Sequence, residues 1–324
     1  MIIRKKELFK TAAGDTVCSV TLCSDTKRGV LAEFISLGAG IRRLSYIEEG
    51  GNENLLTLSY KDFREYGKNS SLAGLTIGPN AGRIPAENGL SANEGRNQLH
   101  GGLHNLSSMV WQIEELSENR DFCEAVFCAS QPDGLDGWPG NRSYRASYRL
   151  KEDGSLTISY FAETDRDTYI NMTNHTYWLM NEASLKLNAG KICINREDFL
   201  PVDIGDIPQV IPGYKPGDDI PLSAPLNNGF ILNRTGEKEK NEPDAVLKLF
   251  NGKFNVDMYT DAPAIVVYTG DYLDDKTELL DNTVSSPHSA LALEAQDMPT
   301  VLPKVLTKPG SPFRRTIRFA IRPL

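Results

Sequence analysis

Alternation with a period of two is the feature that most restricts this chain. Apolar and polar residues trade places along "VCSVTLCS", "GVLAEFISLG", "EAVFCAS", "RASYRLKEDGSLTISYFAET", "AIVVYTGDYL", "SALALEAQ" and "RRTIRFAI". Such runs place successive side chains on opposite faces of a strand. They are separated by turn chemistry: Gly50-Gly51, Pro132-Asp133-Gly134, Asp153-Gly154 and Asn251-Gly252. "SYRLKEDGSLTISY" reads as a hairpin closed at Glu152-Asp153-Gly154. Helical character is confined to the short "LSYKDFREYG". Many strands without intervening helices predict an all-β, antiparallel sandwich or barrel. No fixed-period repeat is visible, which argues against a propeller. The 324 residues contain no linker-like segment, so a single β-sandwich domain over 1–324 is expected.

Composition removes several function classes. A formal net charge of -8 disfavours nucleic acid and anionic membrane as partners. No apolar run approaches the roughly 18 residues of a membrane span, and "MIIRKKELFK" is not followed by a signal-peptide core. A cytoplasmic protein that takes a small neutral or cationic molecule is the expectation. Five cysteines, an odd number, argue against a disulfide framework. The Cys18/Cys23 and Cys123/Cys128 pairs have odd separations, which on strands point to opposite faces and suit no shared metal.

Candidate chemistry concentrates at a few sites. In "SALALEAQDMP", alternation puts Leu291 and Leu293 on one face and Ala290, Ala292, Glu294 and Gln296 on the other. A carboxylate and an amide among alanines describe either a strand with ligand space above it or an ordinary exposed Glu. In "YINMTNHTYWLMN", His175 lies in the middle of a strand-like run and shares a face with Thr173 and Tyr177. It is either a proton-transfer group or a satisfied structural histidine. His100 precedes Gly101-Gly102, where backbone can approach a ligand closely. His104 follows four residues later, but the two glycines oppose the helix that a His–His metal pair would need. No metal site is expected. His288, after Pro287, reads as a surface residue. "GPNAGRIP" presents Arg83 in a loop without any phosphate-cradling motif. No G-x-S-x-G elbow occurs. Trp138 in "PDGLDGWPGN" either stacks on a sugar or plugs a neighbouring loop.

Taken in order, "LGAGIRRL", "DFREYG", "GPNAGRI", "NQLHGG", "PDGLDGWPGN", "NMTNHTYWLMN", "FLPVD", "YTGDYL" and "LALEAQDMP" resemble the motifs of the aldose 1-epimerase (galactose mutarotase) family, from about residue 36 to 299. The resemblance implies a galactose mutarotase-like supersandwich with very little helix and a sugar cleft on one sheet. It places Glu294 on the family's general base and His175 on its general acid. It places His100 and Arg83 on residues that hold sugar hydroxyls and the ring oxygen. Gln296, beside the base, is expected to support it. Two positions depart from the family pattern: Gly82 stands where an Asn precedes the loop arginine, with Asn80 two residues earlier as its nearest substitute. Asn227, in "PLNNGFIL", stands where an Asp grips sugar hydroxyls. An amide still donates and accepts hydrogen bonds but loses the charge-assisted grip. Asp257 and Asp261 lie too far along the chain to replace it.

The implied activity is interconversion of the α and β anomers of a free aldose, which needs one acid and one base and no cofactor. At pH 7 an unperturbed His is about a quarter protonated, and a carboxylate nearby is expected to raise that fraction. A hexose-6-phosphate 1-epimerase is the nearest alternative, and it would need a cluster of basic residues around a phosphate, for which Arg83, Arg96, Arg142 and Arg145 are the candidates. A non-catalytic sugar-binding protein of the same fold is the third reading. Glycoside hydrolysis would need a second placed carboxylate. The expected partner is a small-molecule sugar, with the chain as a monomer or weak homodimer.

Overall fold

The computed structural model describes residues 1–25, 28–68, 71–86, 97–234, 242–298 and 306–324. Strands dominate, and helix is limited to Glu65–Lys68 and short 3-10 turns among the described residues. The helical expectation at "LSYKDFREYG" therefore shrinks to a single turn, and none of the described helices is long and apolar enough to cross a membrane.

Three sheets make the body. The first is five-stranded and runs in chain order from Ile2–Lys10 to Glu53–Leu55. The second has eight strands in the order Ser184–Leu187, Ala245–Leu249, Phe254–Thr260, Phe313–Pro323, Ser155–Thr164, Arg142–Lys151, Phe122–Gln131, Gln112–Glu118. The third has six, in the order Tyr177–Leu179, Ala290–Gln296, Ala264–Tyr268, Asn227–Leu232, Ala189–Asn195, Pro201–Asp206. The predicted hairpin forms, with Leu150 paired to Leu156 across the Asp153-Gly154 turn. All the described ladders are antiparallel; the sole parallel contact is an isolated bridge between Asn80 and Asn171.

Period-two alternation is what lets these sheets stack. Along Arg142–Lys151 the buried and exposed residues alternate without a break, sending Tyr144, Ala146, Tyr148 and Leu150 inward. The eight-stranded sheet covers both of the others. Tyr148 meets Phe34 of the five-stranded sheet at 4.4 Å between ring centroids, and Phe319 meets Trp178 of the six-stranded sheet at 5.1 Å. The main apolar core accordingly draws on all three sheets. This is a large antiparallel β-sandwich with very little helix.

Two small ladders hang on this frame and carry chemistry-bearing residues. Thr76–Ile77 pairs with Thr173–Asn174, and Arg83–Ile84 pairs with Gln98–Leu99. After Asn174 the chain leaves the first ladder and, from Tyr177, joins the six-stranded sheet beside Ala290–Gln296. His175 and Thr176 occupy the changeover. His175 is thus in a break between two strands rather than in the middle of one, which corrects the expectation from its sequence. Its backbone is held all the same: its N–H donates to the Leu75 carbonyl at 3.0 Å, and its carbonyl accepts from the Gly74 N–H at 2.9 Å. Asn174 locks the changeover by donating from Nδ2 to the Gly74 carbonyl and accepting the Thr176 N–H at Oδ1.

Gly74 has no alternative at this crossing. Its φ is +72°, and a Cβ there would sit 1.8 Å from the Ile41 carbonyl oxygen. Gly74→Ala should therefore cost about 3 kcal/mol or more in chemical denaturation, from positive-φ strain plus the forced separation of two strands. A change within about 0.5 kcal/mol would mean that the crossing is free to rearrange.

Candidate active site

The cleft opens on one face of the six-stranded sheet and spans about 870 Å³, counting the space at its mouth that is open to solvent. Its floor is the Ala290–Gln296 strand. This strand is buried on both faces. Leu291, Leu293 and Ala295 enter the main core. On the opposite face Ala290 and Ala292 are roofed by a second apolar cluster that includes Tyr177, Tyr268 and Leu273, so the room expected above the alanines exists only over Glu294 and Gln296.

Glu294 and His175 converge here from distant parts of the chain. The Glu294 Oε1 and His175 Nε2 atoms are 3.6 Å apart, and both residues are nearly inaccessible, at 3% and 4%. Glu294 Oε2, Gln296 Oε1 and His175 Nδ1 are buried with no hydrogen-bond partner in the protein. Polar atoms left in that condition are rare in a folded chain and are what a bound polar ligand would satisfy. A hydrogen-bonded pair of loops fixes the spacing. Asn171 donates from Nδ2 to the Asp297 carbonyl at 2.8 Å and accepts the Asp297 N–H at 2.9 Å. That reciprocal contact ties the segment leading to His175 to the end of the Glu294 strand.

His100 completes the trio. Its ring stands edge-on to that of His175, with centroids 5.8 Å apart. The sequence reason is the two glycines that follow. Gly101 has φ +91° and a Cβ there would lie 2.4 Å from the Gly78 carbonyl oxygen; Gly102 has φ +97° and would press on the Asp136 carboxylate. Trp138 is buried against this loop and donates from Nε1 to the Gly101 carbonyl at 3.1 Å, so it is a plug and not a sugar platform. His104 turns away to pair with Asp136 at 2.9 Å.

Donor atoms of His100, His175 and Glu294 all lie within 4.8 Å of one another, a spacing that a transition metal could draw together. The hydrogen bonding works against it. The Gly82 N–H donates to His100 Nδ1 at 3.2 Å, which leaves the other ring nitrogen of the neutral imidazole carrying the proton. His100 therefore offers a hydrogen where a metal would require a lone pair.

Burial sets the protonation. Glu294, stripped of water and only weakly helped by the Arg83 charge, is pushed up to about 8. Burial brings His175 down to about 4, and it holds His100 well below the usual imidazole value, with the His175 and Arg83 charges adding to the effect. The expectation that the carboxylate would charge its histidine is thus reversed. In the ligand-free site desolvation outweighs the pair attraction, and the single proton that Glu294 and His175 share at neutral pH rests on the carboxyl group.

Arg83, Asn227 and Gln296 line the same cleft. Arg83 sits over the Phe199 ring at 5.2 Å, and the Asn227 carbonyl accepts from the Asn195 side chain. Gln296 makes no hydrogen bond to Glu294; it faces the cleft as a separate polar group. Asn80 does not line the cleft: it is fully buried, with Nδ2 donating to the Ala81 carbonyl. Arg142 is also absent from the cleft, its guanidinium spent on the Trp138, Pro139, Gly140 and Pro132 carbonyls. Arg145 pairs with Glu114 on the eight-stranded sheet, and Arg96 lies outside the described residues. Asp257 and Asp261 are engaged by Arg322 and Arg315. His288 is exposed beside Asp271, and all five cysteines are free thiols.

Reasoning from sequence missed the aromatic wall of Tyr177, Tyr268, Tyr272 and Phe199. The signal was present in "YTGDYL" and "FLPVD". Which of those rings face the cleft is decided by sheet register and by the positive φ of +58° at Phe199.

A sequence profile described as "Aldose 1-epimerase" matches residues 20–319. The chain is 29% identical to a galactose mutarotase of Homo sapiens over 95% of both chains, and 29% identical to one of Sus scrofa over 94% of both. The crystal structure of a galactose 1-epimerase from Lactobacillus acidophilus shares the fold, with a TM-score of 0.84 at 22% identity and 99% of each chain covered.

A raised carboxyl pKa is also a statement about stability. Glu294 titrates near its ordinary 4.5 when unfolded and near 8 when folded. The cost of keeping it from ionising is therefore absent below pH 4.5 and grows as pH rises toward 8. Glu294→Gln removes that cost. The variant should match the parent in denaturant midpoint near pH 4 and exceed it by roughly 3 kcal/mol near pH 7. Equal stability at both pH values would show that the carboxyl is ionised in the native state.

Proposed function

We propose, for a chain that belongs to the aldose 1-epimerase family, that Glu294 and His175 open and reclose the ring of a free aldose and so interconvert its anomers. The membership makes the chain a carbohydrate isomerase. The observation that carries the residue assignment is the approach of one buried carboxyl and one buried imidazole to 3.6 Å, at the floor of an open cleft lined by polar and aromatic side chains.

The chemistry follows from proton bookkeeping. Ring opening removes the proton of the anomeric hydroxyl, breaks the bond between C1 and the ring oxygen, and delivers a proton to that oxygen. Glu294 as base and His175 as acid supply both transfers. The open-chain aldehyde turns by about half a rotation about C1–C2, and the same two protons run back onto the other face. The pair must hold one proton in total, and at neutral pH it does. For Glu294 to act as base that proton moves to His175 when sugar replaces water in the cleft. The His100 N–H, Arg83 and the sugar hydroxyls stabilise the carboxylate that this leaves. Net charge does not change, so the shift needs only a modest rearrangement of nearby dipoles.

Two observations favour a free sugar over a sugar phosphate. Arg142 and Arg145 are committed elsewhere, and Arg83 is the only lysine or arginine among the described residues of the cleft. A polar wall of amides, with Asn195, Asn227 and Gln296, suits hydroxyl groups.

Polarimetry of freshly dissolved α-aldoses should show faster relaxation with the protein. Glu294→Gln and His175→Asn should each lower kcat by about 10² to 10⁴. Acceleration that survives Glu294→Gln would remove the assignment. The pH dependence has a definite sign. The one-proton state spans about 4 to about 8, set by His175 at the acid limb and Glu294 at the alkaline limb. Below it no base remains, and above it no acid remains. The kcat/KM profile should be flat between those limits and fall about tenfold per pH unit outside them. A steady rise from pH 7 to 9 would contradict a Glu294 that carries the shared proton.

A further inference from the structure

The cleft is lopsided in charge. Among its described lining residues Arg83 is the only permanent cation and Glu294 the only carboxyl. Arg83 makes no ion pair within 4 Å among the described residues; Glu294 influences it only at longer range. The other nearby acid, Asp198, is already held by Arg196 at 2.6 Å and by Asn97 at 3.0 Å. The guanidinium carbon sits over the Phe199 ring at 5.2 Å, and no hydrogen bond to a described residue occupies its N–H groups. The remaining polar wall consists of amides and phenols, which bring no negative charge. A half-buried guanidinium without a counter-ion among the described residues, in a cleft lined by polar groups, is an unfilled half of a salt bridge.

We propose that the preferred substrates are uronates, aldoses oxidised to a carboxylate at C6, with that carboxylate bound by the Arg83 guanidinium. The proposal rests on the anomer-interconverting reading above. Sugar geometry makes the contact natural. The carboxylate carbon is bonded to C5, and C5 to the ring oxygen, so a pose that brings the ring oxygen to His175 carries the carboxylate only two bonds beyond it. Arg83 stands on the short strand paired with Gln98–Leu99, directly before His100, whose ring centroid is 5.8 Å from that of His175. One guanidinium matches one carboxylate through two parallel N–H···O bonds, whereas a phosphate dianion would leave a charge unmatched. A neutral hexose offers Arg83 only a hydroxyl.

Mutarotation rates for α-D-galacturonate and α-D-glucuronate should be compared with those for α-D-galactose, α-D-glucose and glucose 6-phosphate. The expected kcat/KM for a uronate exceeds that of its neutral counterpart by about tenfold or more, chiefly through KM, the gain of a charge-assisted hydrogen bond over a neutral one. Added salt should shrink the advantage. Arg83→Gln should bring the uronate-to-hexose ratio close to one. Asn227→Asp, a near-isosteric change that puts a carboxylate into the same cleft, should lower the ratio while leaving the fold intact. Neutral hexoses turned over as well as uronates, faster turnover of the 6-phosphate, or a ratio untouched by both substitutions would overturn the uronate assignment and leave the epimerase reading standing. Acceleration with none of the five sugars would instead defeat the epimerase reading, and this inference with it.

Discussion

The reciprocal backbone contact between Gly74 and the Leu75–His175 crossing is the constraint on which the site depends. A chain segment that belonged to one ladder throughout would aim His175 by the pleat alone. Here the segment leaves a two-residue ladder and joins a six-stranded sheet, and the changeover gives His175 a direction that regular strand geometry does not offer. That freedom would be floppy without the hydrogen bonds from Leu75, Gly74 and Asn174. Gly74 is required because it lies in a turn packed so closely on the Gly40–Ile47 strand that any side chain would collide with the Ile41 carbonyl. An imidazole held by its own backbone can be precise without any hydrogen bond to its ring.

Desolvation then decides the chemistry of the pair. In water Glu294 would be ionised and His175 mostly neutral. Burial penalises each charged form, and the penalty is largest for the carboxylate, which has only a distant guanidinium to oppose it. The outcome is a buried carboxyl and a buried imidazole that both stay uncharged at neutral pH. Stability is given up to keep the carboxyl there, as is common where reactive groups are buried for function.

Much of the scaffold was legible in the sequence, because period-two alternation and turn residues report directly on sheets. Arg142–Lys151 and Ser155–Thr164 lie where the pattern put them, turn included. The convergence of Glu294, His175, His100 and Arg83 was legible only through the ordered motifs, since alternation shows a face but not what stands opposite it. Three readings failed for physical reasons. His175 looked like a mid-strand residue because a strand break between aromatic and amide residues leaves no gap in the pattern. Asn80 looked like a replacement for the missing Asn at position 82, yet its isolated pairing with Asn171 buries it. The protonation of the pair was misjudged because proximity is visible in a motif and dryness is not.

The double hydrogen bond between Asn171 and Asp297 has an evolutionary corollary. It joins the two chemical groups close to their bases, while Phe199, Tyr272, Leu99 and Ser71 at the rim come from segments outside that tie. Substitutions at the rim can therefore accumulate without altering the 3.6 Å gap between carboxyl and imidazole. A lineage built this way can change the sugars it admits many times over while the reaction it performs stays the same.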